Sequence, residues 1–184
     1  VYLITTGGAT LSSFSVLANS PTPIGVTTDG TSVWVTDTSG IQVDEYTPAG
    51  AYVGSFDVSA NTTFPEGIAF NPNTGNLYVV DGAGGNVVIE YNTNGTLVTT
   101  YPINGSSPDG IAYDPIRNSY WIYDSGTDTV THYDTSFTFL EAFPGTVNAG
   151  FSNGEGLAVI GDVCYVMATS SVSVVMFDLT GAVP

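Results

Sequence analysis

Acidic side chains recur at one point of a repeating pattern, and they are the residues best suited to bind a metal ion. Glu66, Asp109 and Glu155 each stand directly before a glycine, in the segments PEG, PDG and GEG, whereas Ile24 takes this place in the first repeat. Carboxylates that converge repel each other by about 1–4 kcal/mol per pair at 4 Å. Either protonation or a hard cation such as Ca²⁺ relieves that repulsion. The three acids are therefore candidate metal ligands, and no other cofactor is expected.

A second set of acids follows the next apolar run of each repeat. Asp37, Asp81 and Asp124 occupy this position, and Ala168 takes it in the last repeat. If that run is a strand that returns antiparallel to the preceding one, it ends at the edge of the sheet where the preceding strand began. Both sets of carboxylates are then expected on the same face of the molecule.

Other groups that could perform catalysis are few. The chain has one histidine, His132, in the segment TVTHY, and one cysteine, Cys164. His132 is expected to be a half-exposed strand residue rather than a base, since no serine nucleophile motif accompanies it. Cys164 is expected to be a buried, inert thiol, because free cysteines are among the most buried residues. We therefore assign no catalytic residue.

The acids recur because the whole chain is built of repeats. Four glycines open similar segments at spacings of 42, 43 and 46 residues: Gly25, Gly67, Gly110 and Gly156. Each repeat holds four short runs rich in β-branched and aromatic residues, separated by Gly, Asn, Asp and Pro. Four antiparallel strands in about 43 residues are typical of a propeller blade. The sequence predicts an all-β protein, a β-propeller of about four four-stranded antiparallel blades. The aromatic residues of the second runs are expected in the core: Trp34, Tyr78, Trp121 and Tyr165.

The repeat boundaries divide a single propeller domain into blades. The expected divisions of residues 1–184 are outer strands at 1–16 that complete a blade, full blades at 17–60, 61–104 and 105–147, and an incomplete last blade at 148–184. Third strands occur five times and the other strands four times. The N-terminal strands can complete a blade of their own chain, complete a blade of a neighbour, or belong to a larger propeller. We favour pairing between molecules, because unpaired strand edges readily add a further strand.

The repeat consensus resembles that of NHL-repeat β-propellers and of the related gluconolactonase and senescence-marker family. It reads Pro-x-Gly-Ile-Ala, then Gly-x-x-Tyr-Val-x-Asp, then Val-x-x-Tyr, and it extends over essentially the whole chain. In gluconolactonase-like proteins Glu-Gly and Asp-Gly pairs on inner strands supply metal ligands. The resemblance implies this role for Glu66, Asp109 and Glu155, with Asn153 as a weaker candidate, and it implies divalent-metal-dependent lactone hydrolysis.

Three departures from the related enzymes argue against catalysis. The first repeat lacks the acid, and the chain is short for the usual six-bladed ring. The zinc lyases built on NHL propellers need several histidines, and this chain has one.

The charge balance excludes several kinds of partner. One basic residue, Arg117, stands against 17 acids, which gives a net charge of −16. Nucleic acids and anionic membrane surfaces require clustered Lys and Arg, and no stretch is long and apolar enough for membrane insertion. A single site for trypsin-like proteases suits an extracellular or cell-surface protein. Three sequons are candidate glycosylation sites in predicted loops: Asn61, Asn94 and Asn104.

Three classes of function remain open. The first is a non-enzymatic extracellular structural protein, such as a subunit of a surface fibre or layer that joins copies of itself head-to-tail by strand complementation. The second is a glycan-binding or protein-binding module, and the third is the metal-dependent hydrolase. We favour the first, because catalytic residues are few and the strand count leaves one strand in excess.

Overall fold

The structure, a computed structural model, describes residues 1–5, 8–82, 85–144, 154–168 and 173–183, with the backbone alone at 154, 155, 168 and 173. Within these ranges the chain consists of β-strands and turns, without a helix. The described residues accordingly contain no helix that could cross a membrane. The predicted all-β class is confirmed.

Three blades each contain four strands, and each strand pairs antiparallel with the next one along the chain. Blade 1 comprises β3 (Pro23–Thr28), β4 (Val33–Asp37), β5 (Gln42–Tyr46) and β6 (Tyr52–Asp57). Blade 2 comprises β7 (Pro65–Asn71), β8 (Asn76–Asp81), β9 (Val87–Asn92) and β10 (Leu97–Pro102). Blade 3 comprises β11 (Pro108–Asp114), β12 (Ser119–Asp124), β13 (Thr129–Tyr133) and β14 (Phe139–Pro144).

The fourth blade and the N-terminal strands differ from this pattern. Blade 4 has three described strands, β15 (Gly154–Ile160), β16 (Val163–Ala168) and β17 (Ser173–Asp178). The N-terminal strands β1 (Tyr2–Ile4) and β2 (Thr10–Ser13) form a separate two-stranded sheet. The chain is thus a β-propeller of four blades, as predicted, preceded by one further strand pair.

The N-terminal pair packs on blade 1 as the outer strands of each blade pack on the following blade. Phe14, just after β2, contacts the ring of Tyr46 with centroids 5.9 Å apart. The equivalent residue of blade 1, Phe56, contacts Tyr91 of blade 2 at 5.5 Å. The pair therefore occupies the place of third and fourth strands in a blade that precedes blade 1.

Each inner strand begins with an irregularity in its pairing. In blade 2 Pro65 is opposite Asp81 and the next paired residue is Ile68, opposite Val79, so that Glu66 and Gly67 lie in a bulge. Equivalent register shifts occur in the inner strands of the other three blades. Bulges redirect side chains at the ends of strands, and here the bulge holds the acid-glycine pair.

The recurring glycines lie where neighbouring inner strands approach each other closely. A Cβ on Gly67 would lie 2.6 Å from Asp109 O and 2.8 Å from Ile111 N of blade 3. A Cβ on Gly25 would lie 2.5 Å from Glu66 O of blade 2. The glycine is therefore required by close packing of backbones between blades rather than by a turn.

The core consists of the layers between adjacent blades, which we call seams. In each seam the aromatic residue of the second strand packs in one cluster with an aliphatic residue on the inner strand of the next blade. The pairs are Trp34 with Ile68, Tyr78 with Ile111, and Trp121 with Leu157. The prediction of core positions is confirmed for the three buried aromatics, whereas Tyr165 of blade 4 is only half-buried.

Candidate functional site

The inner strands line a concave groove of about 290 Å³, and two of the three predicted metal-binding acids meet beside it. Asp109 lines the groove, and its side chain shares a hydrogen bond with that of Glu66 from the neighbouring inner strand. Both residues are nearly buried, with 9% of Glu66 and 8% of Asp109 exposed. The Glu155 side chain lies outside the described residues. The structure thus brings Glu66 and Asp109 together.

Burial shifts the ionisation of Asp109. Removal from water raises the pKa of Asp109, while hydrogen bonds from Glu66 and Ser125 act in the opposite direction. The Ser125 N–H donates to Asp109 Oδ2 at 2.8 Å. A hydrogen bond between two carboxyl groups requires that one of them carry a proton.

The second set of acids holds loops together. Asp37 accepts hydrogen bonds from the backbone N–H groups of Thr22 and Gly40. Asp124 accepts from three backbone N–H groups, those of Ser106, Ser107 and Thr127. Asp81 accepts from the Thr62 hydroxyl at 2.7 Å. Each acid closes the turn after its own strand or ties down the loop that leads into the inner strand.

The second set of acids therefore has a structural role in the described part of the chain. Within those residues no three His, Cys, Asp or Glu side chains form a group that could hold a metal ion. Arg117, the residue that could have neutralised the acids of the rim, bonds instead to Asp114 and Asp162. The Ca²⁺ site remains a prediction whose third carboxylate, that of Glu155, is not described.

Asp109→Asn should weaken the pH dependence of stability. The pKa of Asp109 is raised above its ordinary value of 3.8, so the folded chain keeps this proton to higher pH than the unfolded chain. Its contribution is complete below pH 3.8 and is lost as pH rises through the folded pKa. Asparagine can also hydrogen-bond with Glu66, through its amide, but does not titrate. Urea unfolding from about pH 4 to neutrality should show a smaller loss of stability in the variant than in the wild type.

Asp57→Asn is the matched control for this experiment. Asp57 is an exposed carboxyl whose pKa is lowered by hydrogen bonds from Ser59. Its contribution is present above pH 3.8 and is lost only as pH falls through the folded pKa, so its removal should leave the profile between about pH 4 and neutrality nearly parallel to that of the wild type. An Asp109→Asn profile parallel to that of the wild type would contradict the raised pKa.

The single histidine lies in a hydrogen-bonded chain that has the order of a hydrolase triad. His132 Nε2 is 2.7 Å from Ser119 Oγ, and Nδ1 is 3.2 Å from Glu141 Oε1. Since a carboxylate only accepts hydrogen bonds, Nδ1 carries the proton and Nε2 accepts from the serine hydroxyl. His132 is fully buried, against the expectation of a half-exposed strand residue.

The equivalent residues of the other blades show what this chain of hydrogen bonds does. Ser32 donates to Glu45 at 2.5 Å in blade 1, and Asn76 donates to Glu90 at 2.6 Å in blade 2. The Ser119–His132 contact takes the same place in blade 3. Ser119 and His132 are both fully buried, and the His132 ring stacks on Trp121 at 3.9 Å. A substrate cannot reach this serine, and the pair stabilises the seam between blades.

Burial is also the main cause of the pKa shifts of His132 and Cys164. Removal from water lowers the pKa of His132, against the opposing effect of Glu141, and raises that of Cys164 to about 12. The Cys164 thiol is fully buried, as expected. Aligning the repeats by strand would have identified the serine-histidine contact, because position 132 corresponds to Glu45 and Glu90.

The three sequons differ in accessibility. Asn94 and Asn104 are exposed, whereas Asn61 is half-buried. Asn94 Oδ1 accepts a hydrogen bond from the hydroxyl of Thr96 at 2.8 Å. The Thr62 hydroxyl next to Asn61 donates to Asp81. Glycosylation at these asparagines remains a prediction.

Comparisons with known proteins support the fold and leave the family open. No family model matches the chain, and a search of curated proteins finds no match. Among solved structures the chain is similar to a Staphylococcus aureus virginiamycin B lyase in complex with quinupristin, with 17% identity and a TM-score of 0.61 over 96% of this chain and 61% of that one. It is also similar to Kuenenia stuttgartiensis hydrazine synthase, with 18% identity and a TM-score of 0.66 over 93% of this chain and 50% of that one. A streptogramin B lyase shares 15% identity and a TM-score of 0.61, over 98% of this chain and 61% of that one. The chain thus spans about half to three-fifths of the length of these structures, and at such identities the likeness shows a β-propeller fold.

Proposed function

We propose that this chain is a non-enzymatic propeller subunit that joins copies of itself by strand complementation, as part of a fibre or layer outside the cell. The observation that carries the proposal is the pair of incomplete sheets, a three-stranded blade 4 and a separate N-terminal pair. A catalytic role has little support in the described residues, because the buried acids, His132 and Cys164 all have structural surroundings. The membership of the NHL and gluconolactonase-like group implied by the repeats is part of this proposal.

The structural neighbours provide a test of the catalytic alternative. One virginiamycin B lyase structure is of a variant made inactive by replacing a histidine with alanine. The only histidine of the present chain is fully buried in a seam between blades. A lyase mechanism that depends on a histidine reachable by substrate therefore does not fit this chain.

The pairing that we propose follows from the complete blades. In each of them the fourth strand pairs with the third, and in blade 1 Asp44 is opposite Ser55. In blade 4 the third strand is β17, and among the described residues its one sheet partner is β16. The strand β2 corresponds to a fourth strand. By the register of blade 1, β2 of a neighbouring copy would place Ser13 opposite Val175, with β17 taking the place of β1, whose Tyr2 is opposite Ser13 in the separate chain.

A disulfide between copies tests this register directly. We expect an equimolar mixture of Ser13→Cys and Val175→Cys chains to form a disulfide-linked heterodimer under mild oxidation, because directly opposed strand residues lie within disulfide range. Native Cys164 is buried and should not react. Ser12→Cys mixed with Val175→Cys is the control, since residues 12 and 13 face opposite sides of the sheet. Equal yields from both mixtures, or monomeric wild-type chain in light scattering at high concentration, would overturn the proposal.

A further inference from the structure

Asparagine is a chemically labile residue, and it loses its side-chain amide most readily when glycine follows it. The backbone nitrogen of the next residue attacks the side-chain carbon of the asparagine, and glycine has no side chain to hinder that approach. The chain contains three such pairs: Asn94-Gly95, Asn104-Gly105 and Asn153-Gly154. Asn153 lies outside the described residues, so the structure allows the first two pairs to be compared.

Hydrogen bonds hold both reacting groups of the Asn94-Gly95 pair. The Gly95 N–H donates to Asn92 O at 3.0 Å and closes the turn between β9 and β10. Asn94 Oδ1 accepts from the backbone N–H of Thr96 at 3.1 Å and from its hydroxyl at 2.8 Å. The hairpin therefore fixes the amide group of Asn94 and also the nitrogen that would have to attack it.

The Asn104-Gly105 pair is held only through the backbone of Asn104. The Asn104 N–H donates to the Tyr133 hydroxyl at 3.0 Å, and that hydroxyl donates to Asn104 O at 3.0 Å. Among the described residues, neither the exposed Asn104 side chain nor the Gly105 N–H makes a hydrogen bond. Both groups that react are thus unrestrained here, in contrast to the same groups at Asn94.

Glycine is required at position 105, whereas no described contact requires asparagine at position 104. Gly105 has a φ of 149°, and a Cβ there would overlap the carboxylate of Asp124, which is 2% exposed. Asp124 also accepts hydrogen bonds from the N–H groups of Ser106 and Ser107. The loop that leads into blade 3 therefore keeps a glycine directly after an exposed asparagine.

We propose that Asn104 is a site of spontaneous deamidation, and that the reaction loosens the loop between blades 2 and 3. The Gly105 nitrogen loses its proton and bonds to Asn104 Cγ, the Cγ–Nδ2 bond breaks, and ammonia leaves. Water then opens the succinimide ring at either carbonyl and gives aspartate or isoaspartate, without oxidation or reduction. An N-linked glycan would occupy the leaving nitrogen, so the reaction belongs to chains that are unglycosylated at Asn104.

The products disturb contacts that the loop makes with the core. Both add a negative charge next to Gly105, which packs against the Asp124 carboxylate, and like charges close together destabilise each other. Isoaspartate also lengthens the main chain by one methylene group and turns the Asn104 carbonyl, which accepts from Tyr133, into a carboxylate. Tyr133 is 1% exposed in the seam between blades 2 and 3, so the change reaches the core.

Peptide mapping tests the site. Wild-type chain from a bacterial expression host is incubated in the folded state at mildly alkaline pH, digested with pepsin in acid and analysed by mass spectrometry. Asn104 should deamidate about tenfold faster than Asn94, because the hydrogen bonds of Asn94 and Gly95 must break before that pair reacts. In urea the two rates should converge, because a small hydroxyl residue follows the glycine in both pairs. Equal rates in the folded chain, or a faster reaction at Asn94, would overturn the proposal.

Asn104→Gln tests the consequence for the loop. Glutamine keeps the amide but reacts more slowly, because its cyclic intermediate needs a six-membered ring. Stored wild type should unfold at a lower urea concentration as isoaspartate accumulates, whereas stored Asn104→Gln should keep its midpoint. Asn94→Gln is the matched control and should lose stability as the wild type does. Equal losses in the wild type and in Asn104→Gln would overturn the loosening of the loop.

Discussion

Gly67→Ala should destabilise the fold by about 3 kcal/mol, the upper part of the range for overpacking in a close-packed interior. The new methyl group would lie 2.6 Å from Asp109 O and 2.8 Å from Ile111 N. Both atoms belong to the backbone of the neighbouring inner strand, which cannot move aside as the end of a flexible side chain can. The methyl group would therefore push blades 2 and 3 apart. Urea denaturation followed by circular dichroism measures the loss.

The chain contains its own control for this substitution. Gly156 holds the same position in blade 4, where, among the described residues, a methyl group would meet only Met167 Cε, at 3.7 Å. Gly156→Ala should be neutral or slightly stabilising, by up to about 0.5 kcal/mol, because alanine restricts the unfolded chain. Equal losses from both substitutions would show that the glycines serve backbone conformation rather than the approach of neighbouring strands.

The repeat alone was sufficient to predict the fold. Glycines at spacings of 42, 43 and 46 residues and one aromatic per second strand indicated four blades, and the strands begin and end close to where the runs do. This prediction succeeded because each blade buries the same positions against its neighbour. The same residue types therefore recur at those positions in every repeat. The prediction was wrong for Tyr165, which is only half-buried, because the burial of the other three aromatics depends on contact with the inner strand of the next blade.

The role of the acids could not be predicted from residue type. Asp109 is a predicted metal ligand and Asp124 belongs to the second set of acids, and each also accepts hydrogen bonds from backbone N–H groups of loops. Those contacts lie beside the bulge at the start of the inner strand, which shifts the register by one residue. Nothing in the tripeptides PEG and PDG distinguishes a carboxylate that closes a loop from one that binds Ca²⁺.

The contact of His132 with Ser119 could not be predicted from a sequence motif. Residues 13 positions apart come within 2.7 Å because they lie on adjacent strands, two residues out of register. A search for a serine motif does not find such a pair. A comparison of position 132 with Glu45 and Glu90 does, and it also indicates that the contact belongs to the core.

Arg117→Met should destabilise the chain by about 3–5 kcal/mol, as expected when one partner of a buried ion pair is removed. Arg117 Nη1 is 3.0 Å from Asp114 Oδ2, and the Asp114 side chain is fully buried. Arg117 Nη2 donates to Leu179 O at 2.6 Å and to Asp162 at 2.7 Å. The single arginine thus holds blade 3 to the residues that follow β17. Asp162→Asn is the control, because Asp162 is half-exposed and its pair should contribute only about 0–1 kcal/mol.

The pH dependence of the stability lost in Arg117→Met distinguishes removal of the ion pair from removal of side-chain packing. Burial opposes ionisation of Asp114, but hydrogen bonds from Arg117, Trp121 and Ile116 outweigh it and hold the pKa of Asp114 below its ordinary value of 3.8. In the wild type this carboxylate therefore stabilises the fold above pH 3.8, and the contribution is lost as pH falls through the folded pKa. In Arg117→Met the buried charge has lost its partner, so protonation relieves it and the stability gap to the wild type should narrow in acid. The double variant with Asp114→Asn should likewise recover part of the loss at neutral pH. A gap that stays constant with pH would assign the effect to the lost packing of the arginine side chain instead.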